Sequence, residues 1–416
     1  MTSKPRLMKV LPMIFFIGLQ LLILGCVLYF ANRHYAGGLE FLDSHLFSRI
    51  DPPAVPWNMT WAVEPLWGEH YFGDLPHALA FTTFANPWNA PFAGQPLSLN
   101  MLSILGVFGS TYSLVFFLIL NAIAILTLVR VWCKTEPLLI KTILIALCFP
   151  LNISSVYALD RGNLVLVAVC CTGIAIGRMQ KNKQFDDLSA LLLIFAISLK
   201  IYVVLTVLLL AVIYRNEKRF FVKVGVWLIG INSVLLFTYP GSPIANIKQM
   251  IRNFFQFNDP AYLSDVLPTS GSLLYLLDLF QSDFLASNIA TTDLQFVITC
   301  VLMLVVGLVC VLNAVPTWIK IFVSMSTFQM AIPGAPYVMT WNIIGILLLS
   351  SRWKKVQDKD NKSLFEKILT ILAWTAVFVG SVPHDARFWI SSVLLTSLIG
   401  ATLIYYGPLN LKRVKI

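Results

Sequence analysis

Charge is scarce in this chain. Only 12% of its 416 residues are Asp, Glu, Lys or Arg, against about 25% in soluble domains. That scarcity excludes an ordinary soluble enzyme and a charge-rich disordered chain. Histidine is also rare, with five residues, and none of them has metal-ligand spacing with any of the seven cysteines. The cysteines sit in or beside apolar runs, as small packing residues do. A Gly-rich phosphate-cradling loop is absent too. A signal-peptide cleavage site is missing after the first apolar stretch, so that stretch reads as a retained span.

Apolar side chains supply 58% of the chain, and mean hydropathy is +0.78. These values indicate a polytopic, all-α membrane protein, with room for about 12 spans of roughly 20 residues each. The net charge of +10 does not point to nucleic acid. Lys and Arg gather in short loops between apolar runs, as the positive-inside rule expects.

That rule fixes a topology. Lys4, Arg6 and Lys9 precede a first span at residues 10–31 and place the N-terminus in the cytoplasm. Residues 32–107 then form a long first extracytoplasmic loop rich in Trp, Pro, Asp and Glu. A run at 101–130, with Gly106, Gly109 and Ser110 near its start, reads as a short interfacial helix leading into a span that returns at Arg130. Further spans are expected at 138–153 and 163–178. The apolar run 187–214 is too long for one span and short for two, with Lys200 in its middle, so it reads as two short spans meeting outside at Lys200. A span at 220–239 leads to a second large extracytoplasmic loop, 240–292, carrying amphipathic segments. Spans at 293–313, 317–333, 337–351, 365–382 and 387–407 return the C-terminus to the cytoplasm. The whole chain, 1–416, is one transmembrane domain.

All but seven of the 30 Lys and Arg fall on the cytoplasmic side of this scheme. The exceptions are Arg33, Arg49, Arg161, Lys200, Lys248, Arg252 and Arg387. A cation at the outer face needs a partner, and an anionic phosphate head group is the obvious one. Lys200 is flanked by apolar runs, which makes it the most costly to leave unpaired. Lys248 and Arg252 are four apart and share a helix face; snorkelling at the lipid interface would also explain them.

The first loop offers carboxylates. Asp74 stands in Tyr71-Phe72-Gly73-Asp74-Leu75-Pro76-His77, before Asn86-Pro87-Trp88. His70 and Asp74 have i, i+4 spacing, but Gly73 and Pro76 break the helix that a metal pair would need. A carboxylate just above the bilayer could instead deprotonate an acceptor hydroxyl, while cations at the same level stabilise a lipid-phosphate leaving group.

On these residues the chain resembles the GT-C superfold of membrane glycosyltransferases. It looks most like family 87, long labelled DUF2029, which includes polyprenyl-phosphate-mannose-dependent mannosyltransferases. The resemblance rests on four elements in order: Asp74 with Ala78, Ala80 and Asn86-Pro87-Trp88; Arg161-Gly162-Asn163 opening a span; Ser198-Leu199-Lys200-Ile201-Tyr202 between two short spans; and Pro333-Gly334-Ala335-Pro336 followed by Trp341-Asn342. The chain departs from the family in having Val203 where Pro is frequent, in lacking a His near Trp341-Asn342, and in a longer first loop around 49–65.

The resemblance implies a GT-C fold and an inverting transfer of a sugar, mannose or else arabinose, from a polyprenyl-phosphate donor to a lipid-linked or cell-envelope glycan acceptor in a membrane. Asp74 would be the catalytic base, with Asp43 and Asp51 in reserve. Arg161, Lys200, Asn163, Lys248, Arg252, His77 and Tyr202 would bind substrate. Such donors call for no bound cofactor and no metal. Two rivals remain open: a transporter or flippase of lipid-linked sugars, and a polymerase or ligase of envelope glycans. A transporter would place its charges near the midplane, whereas here they collect at one face.

Overall fold

A computed structural model of the chain describes residues 86–89, 94–107, 110–149, 151–160, 162–256, 291–331, 336–357, 364–381 and 387–414. The expected first span, Asp43, Asp51, Asp74, His77 and Arg161 lie outside them. Among the described residues the regular structure is entirely helical, with no strand.

After a 3-10 turn at Pro87–Asn89 come α1 (Pro96–Val107), α2 (Ser110–Trp132), α3 (Leu138–Cys148), α4 (Ile153–Asp160), α5 (Val165–Asn182), α6 (Asp187–Leu199) and α7 (Val203–Ile213). Then follow α8 (Lys218–Leu236), α9 (Pro243–Gln256), α10 (Thr291–Val311) and α11 (Thr317–Ala331). A second 3-10 turn, Pro336–Trp341, leads into α12 (Asn342–Gln357), α13 (Leu364–Gly380) and α14 (Arg387–Val414).

Among the described residues, three stretches are long and apolar enough to cross a membrane: Val115–Trp132, Arg215–Leu236 and Ile390–Gly407. Shorter apolar stretches of 10–17 residues include Pro96–Leu105, Leu138–Cys148, Asp187–Leu199, Val203–Ile213 and Phe296–Val311. α1 followed by α2 matches the short helix and span expected there, and the single long run 187–214 is divided at Lys200 as its length suggests.

α11 is the axis of the bundle. Every residue from Trp318 to Ala331 is buried, and α7, α10, α12 and α14 pack around it. A helix enclosed on all sides must satisfy its polar side chains internally. Ser324 donates to Lys320 O (2.7 Å), Ser326 to Val323 O (2.8 Å) and Thr327 to Ser324 O (2.7 Å). Thr206 of α7 adds a donor to Ser324 O at 3.2 Å.

A second seam joins α2 to α5. Gly173 and Gly177 face α2 so closely that an added Cβ would lie 2.7 Å from Leu128 Cδ1 and 2.8 Å from Val131 Cγ1. The missing side chains allow the indole of Trp132 to donate to Gly173 O at 2.9 Å. This is the small-residue packing of membrane helix pairs.

The contacts sort into two ends. At one, Lys181 donates to Trp132 O, Arg178 pairs with Asp186, Lys223 pairs with Asp187 and Arg215 donates to Asn313 (2.8 Å). Asp186 also caps α6 by accepting from Ser189 N–H at 3.0 Å. Burial opposes its ionisation, but the Ser189 amide and hydroxyl and the Arg178 guanidinium outweigh that and hold its carboxyl below the usual range. The opposite end gathers residues 86–89, 94–100, 152–160, 162–164, 197–202, 238–253, 328–331, 336–342, 380–381 and 387–392, through the bonds described next.

Candidate functional site

The 3-10 turn at Pro87–Asn89 is tied down from both sides. Asn86 donates to Pro240 O (3.1 Å) and to Asn246 Oδ1 (2.8 Å), and accepts from Trp88 N–H (3.1 Å). Trp88 is fully buried, its ring edge-on to Tyr239 at 4.9 Å. Asn253 of α9 donates to Trp88 O at 3.0 Å. The Asn-Pro-Trp element therefore anchors α9 to the bundle. One step on, Gln95 donates to Ile197 O at 3.4 Å, which joins this element to the last turn of α6.

Lys200 ends α6. Its backbone is extended (φ −142°, ψ 101°), and its N–H still reaches Ala196 O. Two residues later α7 begins with Tyr202 as its cap. The Tyr202 ring stands edge-on to Phe328 of α11 at 5.2 Å, and its hydroxyl is enclosed with no hydrogen-bond partner among the described residues. Lys200 is half-buried at this break between helices.

Gly162 and Asn163 have clear local duties. Gly162 N–H bonds Leu159 O and Asn163 N–H bonds Ala158 O, both at 2.9 Å. With φ +68° at Gly162, this is the paired closure that ends a helix in a left-handed glycine. The Asn163 side chain then accepts from Val165 N–H at 3.0 Å, which opens α5. The resemblance implies substrate binding for Asn163; the structure commits its Oδ1 to turning the chain from α4 into α5.

The Trp341-Asn342 element packs on α4, α5 and α11. Trp341 is fully buried and donates to Gln329 Oε1 at 3.2 Å, while Gln329 Nε2 donates to Ser392 Oγ at 2.8 Å. Ser391 donates to Ala376 O at 3.0 Å. Beside them Asn342 is fully buried, and neither its amide oxygen nor its nitrogen has a partner among the described residues. Gly380 makes room for it: a Cβ there would lie 2.5 Å from Asn342 Nδ2 and 2.8 Å from Met339 Cε. Gln329, Ser391, Ser392 and Gly380 were not singled out in the sequence. A Gln within an otherwise apolar span is their one visible signal.

Lys248 and Arg252 sit differently. α9 buries Asn246 and Asn253 against the Asn-Pro-Trp turn. Lys248 and Arg252 lie on the opposite, exposed face, beside exposed Ile244, Ile247 and Ile251. Isoleucines and cations side by side suit a helix lying in a lipid interface with snorkelling charges. The structure does not turn this pair toward Lys200.

Four of the sequence elements thus collect at one end: Asn86-Trp88 with Gln95, Gly162-Asn163, Ser198–Tyr202, and Trp341-Asn342. Gln95 joins the first to the third. Tyr202, Phe328, Gln329 and Trp341 join the third to the fourth, and packing of the 336–341 turn on α4 joins the fourth to the second. Among the described residues, no three His, Cys, Asp or Glu lie together as a metal site. The chain matches no family model, no curated protein and no solved structure.

Proposed function

We propose that this protein is a membrane glycosyltransferase of the GT-C type, with about twelve spans and both termini in the cytoplasm. Its donor is a polyprenyl-phosphate sugar, mannose first and arabinose second. Its acceptor is a glycolipid or cell-envelope glycan at the outer face of the cell membrane. The observation that supports the reading is the convergence of the described parts of the four sequence elements on one end of the helical bundle, with a cation, Lys200, at a helix break there.

In this reading Asp74 removes the proton from the acceptor hydroxyl as that oxygen attacks C1 of the sugar. The C1–O bond to the lipid phosphate breaks with inversion, and the phosphate leaves with its electron pair. Arg161 and Lys200 meet the charge that develops on it. His77 and Tyr202 stand beside the donor, and Asn163 fixes the turn into α5 that follows Arg161 in the sequence. The enclosed, unmatched amide of Asn342 suits a sugar hydroxyl, which can both donate and accept. Lys248 and Arg252 hold the rim of the site at the lipid interface.

The test is a transfer assay. Purified protein is incubated with radiolabelled polyprenyl-phosphate mannose and a membrane lipid extract, alongside Asp74→Asn. Label should pass to a new product with wild type and not with the variant. Transfer by both moves the base to Asp43 or Asp51. If neither the mannose nor the arabinose donor yields product, while the protein scrambles a lipid-linked sugar across proteoliposomes, the flippase reading replaces this one.

A further inference from the structure

The end of the bundle away from the candidate site holds a pocket of about 490 Å³ between the last turns of α2 and α5. That volume falls within the roughly 300–1,000 Å³ of small-ligand sites. Its wall is Thr127, Arg130, Val131, Lys134, Thr135, Arg178 and Lys181. Four cations and two hydroxyls line it, with no carboxylate. Two of the cations are held in place: Arg178 by Asp186 and Ser189, and Lys181 by the carbonyl of Trp132, over whose ring it also lies. Arg130 and Lys134 are exposed at the mouth. Glu136 and Asp186 are the acids of the flanking loops.

Orientation by the positive-inside rule accounts for cations in these loops, but it asks nothing of their geometry. It does not account for four of them around one recess. A second observation points to what fills the recess. Phe116, Ile119, Ile123 and Leu126 are each 42–56% exposed. Their spacing of three and four residues puts them on one stripe of α2, and the same spacing carries that stripe to Arg130. From Phe116 to Arg130 it rises about 21 Å at 1.5 Å per residue, more than one leaflet of a roughly 30 Å hydrocarbon core. An acyl chain fits along the stripe while its phosphate enters the basic recess. A free anion would make no use of the stripe.

We infer that this pocket is a binding site for one anionic phospholipid, with the head-group phosphate held by Arg130, Lys134 and Lys181 and an acyl chain on the α2 stripe. Basic recesses between membrane helices recognise anionic head groups in this way. The inference stands apart from any transfer chemistry at the opposite end.

The test uses the full-length protein in zwitterionic detergent, titrated with phosphatidylglycerol and, separately, phosphatidylcholine, with bound lipid counted by native mass spectrometry. Wild type should retain one phosphatidylglycerol at least tenfold more tightly than phosphatidylcholine. Arg130→Gln with Lys134→Gln should weaken it by about fivefold for each cation removed. Lys218→Gln with Arg219→Gln, an exposed basic pair at the start of α8, should leave it unchanged. Equal weakening by both pairs would overturn the site in favour of general surface charge. Millimolar inorganic phosphate should not displace the lipid; displacement would show that the recess reads a free anion. Ile119→Thr with Ile123→Thr should speed lipid loss, and an unchanged rate would remove the stripe. A photoactivatable phosphatidylglycerol on wild type covers the case of a misfolded variant. Crosslinks within residues 115–135 or at 178–181 support the site, and crosslinks elsewhere refute it.

Discussion

Lys200 combines two properties that rarely meet in one side chain. It terminates a helix whose other thirteen residues are almost wholly apolar, and it carries a charge to the end of the bundle where the other sequence elements gather. If it holds the donor phosphate, Lys200→Met should raise the apparent KM for the donor at least tenfold, the size of one charge-assisted bond of about 1.5–3 kcal/mol. The unfolding temperature should stay within a few degrees. An unchanged KM would remove Lys200 from the phosphate site. Asn342 gives a complementary test. Its amide is enclosed and unmatched, and replacing such a group by an apolar side chain of similar size is close to neutral or stabilising. Asn342→Leu should therefore keep or raise thermal stability while transfer falls tenfold or more. Full activity with higher stability would make the amide a packing residue only. The sequence pointed to Lys200 because a cation interrupts an apolar run, a signal visible in one dimension. It could not show that Asn163 spends its side-chain oxygen on a helix start, because that depends on how Gly162 turns the backbone.

At the scale of elements, the α2–α5 seam is a closely packed contact with little room for a side chain. Gly173 has Leu128 and Ile344 within 3 Å of where a Cβ would stand. Gly173→Leu must drive α2, α5 or α12 aside and remove the Trp132–Gly173 hydrogen bond. A loss of about 1–3 kcal/mol is the usual cost of such overpacking, read as a lower midpoint in a thermal melt in detergent. Gly230, with nothing within 4 Å of its would-be Cβ, is the control, and Gly230→Ala should be neutral or stabilising. A melt unchanged by Gly173→Leu would mean that the helices have room to spare. The four-residue spacing of Gly173 and Gly177 was present in the sequence, but a pair of small residues does not say which neighbour comes close. The amphipathic character of α9 was legible from Lys248 and Arg252 at the same spacing. That Asn246 and Asn253 would dock it onto Trp88 was not, because Asn is as common on open surfaces as in buried contacts.

For the whole molecule, the helical class of the described residues followed from composition, and the break of the 187–214 run at Lys200 from its length. Packing order did not, since α11 and α10 have similar composition and only α11 is enclosed on every side. The two ends should face opposite sides of the membrane. In sealed, oriented vesicles of a cysteine-free background, an impermeant maleimide should label Ser242→Cys from outside. Asn216→Cys should react only after permeabilisation. Labelling of both from one side would overturn the arrangement.

The break at Lys200 also bears on membrane thickness. α6 has 13 residues and α7 has 11, so at 1.5 Å per residue they rise about 20 and 16 Å. A hydrocarbon core is roughly 30 Å deep. If the membrane surrounds both, neither helix alone reaches across, and the outer head groups to which the topology assigns Lys200 must be drawn down toward it. Around that point the bilayer must dimple or admit water, and the mismatch costs fractions of a kcal/mol per ångström. A long-chain lipid host should therefore strain this protein and a short-chain host relax it, so that the length of the surrounding acyl chains sets how easily a lipid-borne phosphate descends to meet the lysine.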